Sequence, residues 1–178
     1  MQKLLILFTL SLLLGLSACN NEPSPLVIPS AYDAAGFDAA SQTEQDIRTR
    51  LSGLVGTMQA GRTQGTTVAV SNLEADFTTG TPSLKNLATA YYRGRINDND
   101  GWLSNLARAS GGSYSPGQTA GEGGVFSGYL FDENGIELEQ LVEKGLYTAA
   151  LYNHALSLMN GNMTDGSTDQ LIAIWGAR

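Results

Sequence analysis

One histidine (His154), one cysteine (Cys19) and 17 Asp and Glu residues carry most of the chemistry open to this 178-residue chain. Glu139 and Glu143, an i, i+4 pair of carboxylates, and His154 are the residues that would reach for a metal ion. His154 stands eleven residues beyond Glu143, about 16 Å along a helix axis, so these two cannot share one ion. The competing reading is structural. Acids in the first turns of a helix offset its dipole, and a lone imidazole more often serves packing or faces solvent. The spacing favours that second reading, and the pattern assigns no cofactor.

Other patterns fail for stated reasons. Asp98-Asn99-Asp100-Gly101 and Asp132-Glu133-Asn134-Gly135 look like calcium loops, but aligning each glycine to position six puts Ile96 and Leu130 where an acid is required. Turn and N-cap chemistry accounts for both. Gly121-Glu122-Gly123-Gly124 lacks the Lys and Ser/Thr of a phosphate loop, and no Gly-x-Ser-x-Gly elbow occurs. Tyr91, Tyr92, Trp102 and Tyr114 would suit a ligand groove or, with more precedent, a core. One cysteine excludes a disulfide scaffold and a thiolate zinc site within the chain. Ten bases against 17 acids give a net charge of -7, which argues against a nucleic-acid partner.

The elements that must position these residues read as helices. Ser41-x-x-Glu44 has the form of a capping box, after which Ile47, Leu51, Leu54, Val55 and Met58 share a helical face and Gly61 supplies a stop. Thr81-Pro82 predicts a second helix with Leu84, Leu87, Ala88, Tyr91 and Tyr92 inside. Asp100 predicts the cap of a third, containing Trp102, Leu103, Leu106 and Ala107. Six glycines and one proline make residues 111–124 a loop, and Val125–Phe131 is a short strand or extended arm.

The longest helix is expected over Ile136–Met159, with Leu138, Leu141, Val142, Leu146, Ala149, Ala150, Asn153 and Leu156 in period and Gly145 offering a close approach. Ser167-x-x-Gln170 predicts the cap of a last helix through Trp175. That helix has barely two turns before Arg178, so the chain is expected to be the N-terminal portion of a longer protein. The fold class is all-α, a helical bundle.

The N-terminus reads as an address. Lys3 precedes an apolar run, Leu4–Leu14, broken only by Thr9 and Ser11. It is too short to span a bilayer comfortably and has the form of a secretory signal over residues 1–18. Leu16-Ser17-Ala18-Cys19 resembles the bacterial lipobox, which implies acylation of Cys19 and anchorage to a membrane. Several acyl chains on one residue hold firmly where a single chain binds only marginally. Asn20, in place of Asp, leans towards the outer membrane, at its periplasmic face or the cell surface. Pro23, Pro25 and Pro29 make residues 19–30 an extended tether, leaving 31–178 as the helical domain.

The stretch Gly128-Tyr129-Leu130-Phe131-Asp132-Glu133-Asn134-Gly135-Ile136, followed by Gln140-Leu141-Val142-Glu143-Lys144-Gly145-Leu146 and Thr148–Leu156, resembles the imelysin-like lipoproteins, in particular an uncharacterised outer-membrane branch of Bacteroidetes-type bacteria. Tyr32, Phe37, the Ser41 helix and Asp169–Gly176 extend the likeness. It implies a helical bundle on a lipid anchor, and relatives of the wider group are associated with iron or haem acquisition. Some of them are described as metallopeptidases with a His-x-x-Glu motif. Here Ala155, Leu156 and Ser157 follow His154, so that motif is missing and the peptidase activity is not carried across. The expectation is a non-catalytic binding or accessory lipoprotein for iron, haem or another small ligand. The alternative is a divergent metallopeptidase that completes its site beyond residue 178.

Overall fold

A computed structural model describes residues 35–118, 121 and 123–176; the readings placed on the signal segment, Cys19 and the tether lie outside the described residues. Helix α1 spans Phe37–Ala60 and is followed by α2 (Val70–Thr78), α3 (Leu84–Leu87), α4 (Ala90–Asn97) and α5 (Trp102–Ala109). A hairpin of β1 (Gly124–Phe126) and β2 (Tyr129–Phe131) leads into α6 (Leu138–Leu146), a π-helical segment (Tyr147–Tyr152), α7 (Asn153–Met159) and α8 (Asp165–Ile174). The described residues are mostly helical, compatible with an all-α fold. None of their helices is long and apolar enough to cross a membrane.

Helix α1 is the centre of the packing, with α8, α2, α6 and α3 laid against it. The reason is its apolar stripe: Ile47, Leu51, Leu54 and Met58 are all buried and meet Leu73, Phe77, Leu84 and Leu146 in one core. Each such side chain removed from water contributes about 1.5–3 kcal/mol. The helix starts earlier than the Ser41 box predicts. Its N-cap is Gly36, and the Ser41 hydroxyl donates back to the Phe37 carbonyl at 2.6 Å. Glu44 is therefore not a capping partner; it faces the interior.

Three further boundaries depart from expectation. Ser83, not Thr81, caps α3, accepting from the Asn86 amide, and extended backbone at Ala88 and Thr89 splits the expected second helix in two. The break rotates Tyr91 outward, to 69% exposure, so it is not an inner-face residue. Gly101, not Asp100, precedes α5, and Thr164, not Ser167, is the N-cap of α8, with Ser167 returning the bond as its N3 partner. Helix α2 has only Leu73 and Phe77 buried, too few to show as a period in sequence.

The long C-terminal helix begins at Leu138 and is shorter than α1. Within it the π segment, whose turns hold more residues than α turns, delays the apolar phase. Leu151 and Ala155 are buried and Leu158 packs on the core, whereas the expected Leu156 is exposed. Gly145 behaves as anticipated: a Cβ there would lie 2.5 Å from the Trp102 ring, so only glycine lets α5 approach α6. The extended arm is a hairpin, paired Phe126↔Tyr129 and turned by Ser127 and Gly128, both with positive φ.

Candidate functional site

The three sequence-predicted ligands are dispersed into three contacts. Glu139, with a side chain 1% exposed, sits on the first turn of α6 because Leu138 and Val142 turn that face inward. Its Oε2 accepts from Arg62 Nε at 2.5 Å and its Oε1 from Gln59 Nε2 at 3.3 Å, both donors coming from the C-terminal end of α1 and the residue after its cap. Arg62 also lies 5.2 Å from the Tyr129 ring centroid on the hairpin. Glu143 faces away and bonds Lys144 Nζ at 3.1 Å and Gln140 at 3.3 Å. A buried carboxylate is tolerated only when donors replace its water, and Glu139 has them for both oxygens.

His154 is brought to a carboxylate that sequence spacing does not reveal. Its Nε2 lies 2.8 Å from Glu44 Oε1, although 110 residues separate the two. Glu44 is 1% exposed and His154 16%, so the contact joins α1 to α7 in a nearly dry setting. Among the described residues, Glu44 Oε2 is buried without a hydrogen-bond partner. Just before His154, the Asn153 amide donates to the Leu87 carbonyl at 2.7 Å, fixing α7 to the end of α3. The one hint available in sequence was Glu44 standing four residues before Arg48 and three before Ile47, on the inward face of the apolar stripe.

Among the described residues no group of three His, Cys, Asp or Glu is arranged to hold a metal ion. Asp132 confirms the turn reading of its loop: its Oδ1 accepts from the Asn134 and Ile136 amides at 2.9 and 2.7 Å. The four aromatics do not form one groove. Tyr92 packs against Trp102 at 6.3 Å between centroids, while Tyr114 stacks on Phe131 beneath the hairpin. Trp102 does line an open polar groove of about 690 Å³ between the α4–α5 loop and the start of α6. Scans against protein-family models, characterised proteins and solved structures find no match.

Proposed function

We propose that this chain is a lipid-anchored, non-catalytic envelope protein with an imelysin-like helical fold, serving as a binding or accessory component in nutrient uptake, iron included. The observation that carries the non-catalytic part is the commitment of its sole imidazole. His154 spends Nε2 on the buried Glu44 carboxylate and thereby ties α7 to α1. Glu139 is likewise spent on Arg62 and Gln59. A carboxylate-bound imidazole can act as a base through its other nitrogen, but among the described residues no Ser, Thr or Cys side chain is hydrogen-bonded to His154, so the pair is read as a strut between helices. The anchor rests on Leu16-Ser17-Ala18-Cys19, and the outer-membrane address on Asn20.

Two measurements test the proposal separately. Mass spectrometry of the protein extracted from membranes should find a mature chain starting at an acylated Cys19; a different start or no fatty acid overturns the anchor. Calorimetric titration with ferric ion and with haem tests the iron part. Saturable binding of either supports it, and binding of neither removes it.

A further inference from the structure

Helix α7 and the residue before it carry two apolar stripes. Leu151, Ala155 and Leu158 repeat at i, i+4 and i+7 and pack into the core, which accounts for one of them. One residue further on, Tyr152, Leu156 and Met159 repeat at the same spacing, and they are 49%, 38% and 58% exposed. A helix whose apolar surface reaches this far beyond its core-facing stripe calls for a second neighbour.

The charge pattern bears on what that neighbour is. No Asp, Glu, Lys or Arg occurs between Lys144 and Asp165, the longest stretch of this sequence without one. The single imidazole in that stretch is turned to Glu44. Protein contact surfaces are depleted in charged residues and enriched in Tyr and Met, as this stripe is. The chain as a whole has a net charge of -7. A different protein recognising so acidic a molecule would set bases against its acids, and a helix lying on a membrane carries Lys or Arg on its polar face. Helix α7 offers neither acids nor bases. Two copies of an acidic chain repel over most of their surfaces, so a charge-free apolar face is where they can meet.

The stripe is also complementary to itself. Tyr152 stands four residues before Leu156 and Met159 three after it. In an antiparallel pairing about a two-fold axis at Leu156, that leucine meets its own copy and Tyr152 of each helix faces Met159 of the other. A thioether against an aromatic ring is a favourable contact, and the exposed Ser157 beside Leu156 is small enough to let the two backbones approach. From this arrangement we infer that the Tyr152–Leu156–Met159 face is the contact through which two copies of this chain associate, antiparallel about Leu156. One helix face per copy buries less than the ~1,200 Å² at which stable complexes begin, so the dimer is weak and concentration-dependent. The inference goes beyond the uptake role proposed above and is independent of the anchor at Cys19.

The test is sedimentation equilibrium of the full chain in density-matched detergent, over a series reaching about 100 μM, which reveals association in the micromolar range. The expected result is a reversible monomer–dimer equilibrium. Leu156→Asp and Met159→Asp should each weaken it tenfold or more, whereas Tyr91→Asp, at a still more exposed aromatic on α4, should leave it as in the parent. Thermal melting of each variant separates a lost contact from a lost fold. Under mild oxidation Leu156→Cys should give a disulfide-linked pair above the background of the parent, and Tyr91→Cys should not. The inference is overturned if the parent stays monomeric over the whole series, which would leave the face to a different partner. It is equally overturned if the folded stripe variants dimerise as the parent does, or if Leu156→Cys cross-links no more than Tyr91→Cys.

Discussion

Helix α1 meets a buried carboxylate contact near each end, and the two are built differently. At its C-terminal end, Arg62 and Gln59 satisfy both oxygens of Glu139. Nearer its N-terminal end, Glu44 finds a partner in His154 and, among the described residues, keeps Oε2 without one. The difference follows from donor supply: a guanidinium offers five N–H groups in a fixed fork and an amide two more, whereas an imidazole presents one nitrogen to a given neighbour. The first contact is closed, the second left under-satisfied. Both join distant segments, and neither leaves its carboxylate free to do chemistry in solvent.

That contrast is broken most severely at the closed end. Arg62→Met strands Glu139, 1% exposed, with only Gln59, and should cost about 3 kcal/mol, the lower end for an uncompensated buried charge. Chemical denaturation at neutral pH measures it. At the open end, His154→Ala removes the partner that Glu44 has among the described residues and should cost about 2 kcal/mol, in the range for an unsatisfied buried group. Replacing both Glu44 and His154 by leucine should recover most of that loss, because apolar substitution of a whole buried pair is close to neutral. A double variant less stable than His154→Ala would show that the contact stabilises beyond mutual compensation.

Two smaller changes sharpen the same picture away from the carboxylates. Gly145→Ala drives a methyl into the Trp102 ring and should cost about 1–3 kcal/mol by overpacking, read as a lowered melting temperature. Gly56→Ala, on the exposed side of α1 with nothing within 4 Å of the added carbon, should stabilise by about 0.5–1 kcal/mol through helix propensity.

The apolar stripe of α1 was legible because Ile47, Leu51, Leu54 and Met58 repeat at helical spacing whatever surrounds them. The Gly145 approach was legible because a missing side chain in a periodic helix implies a neighbour. The capping boxes were not: Ser41 and Ser167 carry the right side chains, but where a helix starts depends on which backbone amides the tertiary fold leaves open, and Gly36 and Thr164 won. The π segment erased the phase of the last turns, hiding that Leu151 and Ala155, not Leu156, face inward. Glu44 and His154 share no local pattern, since long-range packing alone brings them together. The groove was illegible for the same reason, joining the Asn97–Gly101 loop to residues some thirty-five positions onward.

The claim that His154 is a structural strut can be put to a single variant. His154→Ala and the parent chain are melted side by side, and each is titrated with ferric ion and haem well below its melting temperature. The account predicts a clearly lowered melting temperature and unchanged affinity for whichever of the two the parent binds. An unaltered melting temperature together with lost ferric-ion or haem binding would make His154 a ligand and contradict the account.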